Sequence, residues 1–445
     1  MVAADSLPSG RRIVGVYLFT SGLFTLAVSL IWGVNTLFLL DAGLDIFQVM
    51  LVNAAASAGM MFFEVPTGVV ADTIGRKASF LFGIATLFVS TLLYLASAVY
   101  EWGLWGFVGA ALLVGAGFTF QSGAVDAWLV DALDHVEHEM PRENVFARGG
   151  MVFGIAMFAG TLAGGFLGQI DLALPFVVRA GILVLAFLIT LFMMREIGFE
   201  PRPLKISTIG VETRKIASAG VRYGWRDPVV RPLLLISVLQ GTFMMYFFYA
   251  SQPYALMLLD REDLIWVAGA VTALFGLAGV VGNTMVGRLM RTRWAGRPAS
   301  VLAACTILIA LLIAGMGFVG IVTPEGGSVV SFAAMVVLFG ASGVLFGILE
   351  PIRKAFINRH IPSAQRATVL SLDSFAEELG GMVGQPGFGW IAKTFTIPVS
   401  YLIGSVLMGA AHPLYTRAGR ASKRLAEEKA KQSAAEVLGV EEADV

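Results

Sequence analysis

Apolar residues in this chain come in long blocks, not in alternation or narrow stripes. A helix that crosses a bilayer needs ~20 mostly apolar residues. Twelve runs reach that length, at roughly 13–39, 46–71, 77–98, 103–131, 145–169, 174–194, 229–258, 263–289, 298–321, 329–352, 366–391 and 396–416. The breaks between them are short, except for residues 195–228 in the middle. The pattern predicts an all-α membrane protein with twelve transmembrane helices in two pseudo-symmetric six-helix bundles. The expected divisions are an N-terminal bundle over 1–195, a cytoplasmic linker over 196–228, a C-terminal bundle over 229–416 and a cytoplasmic tail over 417–445. The linker carries Lys205, Arg214, Lys215, Arg222 and Arg226 among apolar residues. That mixture suits a short amphipathic helix on the membrane surface, or more simply a tether with solvated charges.

Composition agrees with a bilayer as solvent. Hydrophobic residues make up 57% and charged residues only 14%, with a mean hydropathy of +0.79, whereas soluble domains carry about a quarter charged residues. The net charge is zero, so no nucleic-acid partner is expected, and the lone Cys305 forms no internal disulfide. Arg11-Arg12 precede an apolar run too long for a signal-peptide core, so no cleavable leader is expected. Lysine and arginine collect on alternate connections, with only Arg179, Arg261 and Lys393 on the other side. The positive-inside rule then places both termini in the cytoplasm of a multi-pass plasma-membrane (cell inner membrane) protein.

The connection between spans 2 and 3 reads Glu64-Val-Pro-Thr-Gly68-Val-Val-Ala-Asp72-Thr-Ile-Gly75-Arg76-Lys77. Gly68, Asp72, Gly75, Arg76 and Lys77 stand as in the G-x-L-A-D-R-x-G-R-R/K loop, with Val70 for Leu and Thr73 for Arg. The stretch resembles the signature loop of the major facilitator superfamily, and its EVPTG entry resembles the EIPTG entry of a prokaryotic branch. The resemblance covers residues 11 to about 416. It implies two bundles that rock around a central cavity. Held close, Asp72, Arg76 and Lys77 would form a charge network with Asp131 of span 4 that latches one state; the plainer alternative is that they only set topology and helix ends.

In span 5, Gly160-Thr161-Leu162-Ala163-Gly164-Gly165 looks like the G-P-x-x-G-G motif of exporters, with Thr161 in place of the proline. Gly150/Gly154 and Gly160/Gly164/Gly168 also have the spacing that lets helices approach closely. Span 4 lacks the arginine that many proton-coupled exporters place before a Gln-Gly pair. Because spans 1, 4, 7 and 10 line the cavity in this superfamily, the resemblance makes Asn35, Gln121, Tyr246, Tyr249 and Gln252 cavity candidates. The competing reading for the aromatics is a lipid-facing or interfacial belt.

Ionisable groups inside spans cost at least ~2.5–3.5 kcal/mol at a helix centre, which makes them functional candidates by default. Those here are Glu64 beside Pro66, Asp126 in span 4, and Asp373, Glu377 and Glu378 in span 11. Such acids can take and release a proton or hold a cationic group. The competing role is static pairing with Arg148, Arg353 or Arg366, and the sequence favours it for Asp126 and Glu350, which have bases nearby. Glu64, Asp373 and Glu377 read as coupling residues, and Glu378 is open between the two roles.

Other classes find little support. There is no Walker motif, no acyltransferase pair and no G-x-S-x-G elbow at a span end, so neither an ATP-driven pump nor a membrane enzyme is expected. The His135-Val-Glu-His138 stretch reads as a charged loop and not as a metal site. The expectation is a secondary active transporter, a monomer without cofactor or metal, that exports small amphipathic or hydrophobic molecules in exchange for protons. The alternative is a symporter or uniporter for uptake, and a channel or membrane-embedded enzyme is the remote one.

Overall fold

The computed structural model describes residues 8–136, 142–201, 224–292, 294–361 and 366–437. The first half runs α1 (Gly10–Ser29), α2 (Asn35–Asp41), α3 (Ile46–Thr73), α4 (Arg76–Val99), α5 (Gly103–Gln121), α6 (Ala124–His135), α7 (Arg142–Ile170) and α8 (Leu174–Met193). The second runs α9 (Val230–Leu259), α10 (Ile265–Leu289), α11 (Pro298–Val322), α12 (Val329–His360), α13 (Arg366–Thr394), α14 (Ile397–Gly409) and α15 (Ala411–Val437). These fifteen helices make twelve traverses, so both chain ends lie on one face, called here the terminal face; the opposite one is the far face. The expected surface helix with Lys205, Arg214, Lys215 and Arg222, and the Glu137-His138-Glu139 loop, lie outside the described residues.

Eleven traverses are long and apolar enough to cross a bilayer among the described residues. The twelfth is α13, whose terminal half carries Arg366, Asp373, Glu377 and Glu378. Its polar groups need protein around them, and it has it: α13 is wedged between α3 and α9. Every backbone polar group at membrane depth must find a partner, which also governs where a span can break. Three traverses expected to be continuous are interrupted, at residues 30–34, at Ser122–Gly123 and at Ala410. At the first break Gln252 of α9 bridges the freed groups: its Nε2 donates to Trp32 O at 2.8 Å and its Oε1 accepts from Thr36 N at 2.9 Å.

The halves meet along three pairs, α3 with α13, α7 with α10 and α2 with α9. Exchanging the halves turns the second traverse into the eighth and the fifth into the eleventh, so the first two pairs are related by a two-fold. Glycines permit the close approach at the α7–α10 seam: a methyl added to Gly165 would lie 2.9 Å from Gly269 Cα. Gly160 and Gly164 sit as tightly on α1 and the break after it, at Leu26, Ser29 and Leu30.

The seam is closed on the far face. Asp45 caps α3, exchanging hydrogen bonds with Gln48 in a capping box, and its other oxygen takes Lys393 Nζ of α13 at 2.8 Å. Gln169 of α7 holds Asp263 O at 2.7 Å and Trp266 N at 3.2 Å, and Phe166 stacks on Trp266. On the terminal side the helices part. Residues 62–66 of α3 and Ser374 and Glu377 of α13 are exposed, leaving a cleft open to that face.

Candidate functional site

The turn between α3 and α4 is built for charge. Gly75 takes φ +132, in the region that favours glycine, and a Cβ there would lie 2.5 Å from Glu196 Oε2. Arg76 Nη1 meets Asp72 Oδ1 at 2.6 Å and its Nε lies 3.7 Å from Asp131 Oδ2. The Lys77 amide donates to Glu196 Oε2 at 2.9 Å, and Lys77 Nζ to Leu191 O at 2.8 Å. Asp72, Arg76 and Asp131 thus gather at this turn, the Lys77 ammonium instead holds a backbone carbonyl, and Glu196 joins as a member that sequence reasoning missed. Burial pushes the Glu196 carboxyl above its ordinary value, against the Lys77 amide and the Arg76 charge, which pull it down. All of these partners belong to the first half of the chain, up to Glu196. Gly68 lies away from them, exposed on the stripe of α3 that faces the cleft.

The second cluster lies where the seam parts. On α13, Gly380 and Gly384 press on α9 at Val238 and Thr242, while Gly381 and Gly389 meet Ser57 and Met50 of α3. Gln385 Nε2 lies 3.5 Å from the Ser57 hydroxyl. At 100° per residue, Glu377 falls between these two faces and Glu378 on the α3 face. The exposed apolar stripe Phe375, Val383 and Trp390 occupies the opposite side. The Glu378 carboxylate lies near the Ser57 hydroxyl and in the field of Glu64 across the seam. Glu64, Glu377 and Glu378 make no salt bridge among the described residues.

Asp373, read from the sequence with Glu64 and Glu377 as a coupling acid, differs from those two in being paired. Its Oδ1 lies 2.6 Å from Arg353 Nη2 of α12, and the Ser237 hydroxyl of α9 bonds to both. The pair is buried, with side-chain exposures of 4% and 11%. Other expected pairings do not form. Asp126 accepts from Tyr17 Oη at 2.9 Å, while Arg148 is exposed and has no ion pair among the described residues, because the break at Ser122–Gly123 turns α6 toward α1. Glu350 pairs with Lys354 at 3.0 Å on the surface. Arg366 is exposed at the start of α13 with no ion pair among the described residues.

The cavity candidates also divide. Tyr246 is fully buried in the second bundle, its hydroxyl bonded to Ser400 of α14 and its ring stacked on Phe388. Gln252 is spent on the break after α1, and Asn35 donates to Asn53 Oδ1 of α3 at 3.1 Å. None of these three opens onto the cleft, because each side chain is consumed by packing or closure in this conformation. Gln121, at the end of α5, and Tyr249 are half-buried. Arg179, assigned by charge counting to the far-side surface, stands inside α8 and is 2% exposed. The sixth position of an otherwise apolar span was the signal that could have found it.

Known proteins resemble the whole of this arrangement. A family model described as Major Facilitator Superfamily matches residues 17–323 and again 265–440. Tetracycline resistance protein, class C, of Escherichia coli is 26% identical over 369 residues, 80% of this chain and 84% of that protein. Tetracycline resistance protein, class E, of Escherichia coli is 31% identical over 218 residues, 46% of this chain, and that match spans about half of the relative, 47%. The crystal structure of nucleoside transporter NupG superposes with a TM-score of 0.74 at 11% identity, covering 91% of this chain and 98% of that one; at such identity it shows the fold alone. Two bundles related by a two-fold, a cleft between them and a family match running from residue 17 to residue 440 lead to one assignment: the chain belongs to the Major Facilitator Superfamily of membrane transporters.

Proposed function

We propose that this transporter exports small amphipathic molecules from the cytoplasm in exchange for protons, with both termini cytoplasmic in the plasma membrane. The cleft then opens to the cytoplasm and the far face is periplasmic or external. The observation that carries the reading is the convergence of Glu64, Glu377 and Glu378, from both bundles, at the closed end of the cleft without a salt bridge.

Alternating access requires the cytoplasmic halves of α3 and α13 to come together. That movement brings Glu64 and Glu378 toward each other as water leaves. Two carboxylates in a low-dielectric seam repel strongly, so closure needs one of the charges neutralised. A proton does this, and so does a cationic group on the cargo. Each can discharge the same barrier, which makes them alternatives and produces exchange. The loop network of Asp72, Arg76, Lys77 and Asp131 serves in this scheme as a latch whose partners change when the cleft closes. The names of the tetracycline resistance relatives support export as the direction.

The test uses everted membrane vesicles, a fluorescent amphipathic cation and an imposed proton gradient. Accumulation should follow an acidic lumen and collapse with a protonophore. Glu378→Gln should remove the gradient dependence while leaving energy-independent exchange of the dye. Accumulation by the wild type that ignores the gradient would sink proton coupling, and accumulation driven by the opposite gradient would point to symport.

A further inference from the structure

We propose that Arg179 is an anion-recognition residue of the transport site, so that the cargo carries a carboxylate or a comparable oxyanion. This rests on reading the cleft as a transport site. Arg179 sits six residues into α8 from the far face, about 9 Å deep at ~1.5 Å per residue. Its Nε is buried without a hydrogen-bond partner, and no acid pairs with it among the described residues. Buried cations are ordinarily paired, since the interior solvates a lone charge poorly, and intramembrane ones that are not mark substrate or ion pathways.

Its surroundings suit a ligand. The Arg179 charge acts on the hydroxyls of Tyr94 of α4 and Tyr249 of α9. Tyr249 also lies in the field of Glu378. Toward the far face the site is roofed by aromatic rings. Phe38 of α2 and Phe176 of α8 lie 4.2 Å apart, and Tyr94 stacks on Phe176 at 5.8 Å. One turn further in from those two phenylalanines lie Asn35 and Arg179, at matching depth on antiparallel helices. Asn35 is bonded to Asn53, whose Nδ2 is a second buried donor without an acceptor. Orphaned donors collect under the roof and no described acid answers them. An entering oxyanion would satisfy them, reached from the cleft by a turn of the Tyr249 side chain. A cargo with a cationic and an anionic end would span from Glu378 to Arg179.

The experiment measures binding to the purified full-length protein in detergent, without any gradient. The probes are benzoate, 1-naphthoate and 4-(aminomethyl)benzoate, each against its own amide, read by thermal unfolding. At least one carboxylate should raise the unfolding temperature of the wild type, its amide should not, and Arg179→Gln should weaken its binding tenfold or more. No shift with any carboxylate, equal shifts with the amide, or unchanged affinity in Arg179→Gln each overturn the proposal. The last outcome would leave Arg179 without a part in binding. Should Arg179→Gln fail to fold, Arg179→Lys and Tyr249→Phe decide in its place, and unchanged affinity in both overturns it. Because no proton gradient enters, carboxylate binding together with gradient-insensitive vesicles would retain the anion site while rejecting proton exchange.

Discussion

Arg353 Nη2 lies 2.6 Å from Asp373 Oδ1 in the interior of the second bundle. One turn along α13, Glu377 is exposed at the closed end of the cleft and makes no salt bridge among the described residues. Two acids four residues apart on one helix therefore have different work. Asp373 neutralises a buried arginine and ties α12 to α13, and Glu377 is left to the solvent that enters the cleft.

Removing one partner of a buried pair strands the other, which costs about 3–5 kcal/mol, whereas replacing both by apolar residues is often neutral. Asp373→Asn should lower the unfolding free energy in mixed micelles by that amount. The double replacement Arg353→Met with Asp373→Leu should recover most of it. A double variant no more stable than the single one would show that the pair is not what Asp373 contributes.

Glu196 carries a pH signature. Its carboxyl is raised above the ordinary value of 4.5, chiefly by burial. An acid whose folded value is raised contributes stability below the unfolded value and loses it as pH rises through the folded value. Glu196→Gln keeps an acceptor for the Lys77 amide and cannot ionise. Thermal unfolding of this variant between pH 4 and 8 should therefore decline less steeply with rising pH than that of the wild type. Parallel curves would mean that Glu196 titrates alike in both states.

Gly68 faces open space in this conformation, with nothing within 4 Å of an added Cβ. Gly68→Leu should leave the fold intact and stabilise it by up to about 1 kcal/mol, because leucine is the better helix former. If closing the cleft brings α13 over this stripe of α3, the same change should reduce transport at least tenfold. Full transport by a properly inserted Gly68→Leu protein would show that the stripe stays uncovered throughout the cycle.

The Lys393–Asp45 pair joins the bundles on the far face at 2.8 Å. Burial acts to raise the Asp45 carboxyl, but Lys393 and the Gln48 amide prevail and hold it below the ordinary range. The tie is therefore intact above the usual carboxylate value and fails as pH falls through the lowered one. Both groups are substantially exposed, which limits the pair to ~0.2–1 kcal/mol. Lys393→Ala should shift the balance toward far-side opening by up to about fivefold, measured by distances between spin labels placed across that seam. An unchanged distance distribution would show that Gln169 and the α7–α10 contacts close the far face without it.

How much of this was legible beforehand varied with the kind of interaction. Spans could be counted because a bilayer demands twenty apolar residues in a row, a purely local property. The Asp72–Arg76 contact is four residues apart on neighbouring helix ends, so it too was visible in the motif. Glu196 was not, since 119 residues separate it from the Lys77 amide it holds. Gln252 looked like a cavity residue because only the fold shows that a break in the first traverse lies opposite it.

The order of apolar blocks, the acids of α13 and the loop between α3 and α4 thus settled, without coordinates, that this is a twelve-traverse membrane protein of two matched halves. Which acid is paired, which is exposed and which arginine is left alone was decided by tertiary structure. The reason is that hydropathy is written residue by residue, while the partner of a buried charge is chosen by helix rotation and by contacts between different helices. Arg179 and Arg353 are the same residue in comparably apolar surroundings; one met Asp373 across the bundle, and the other met tyrosines.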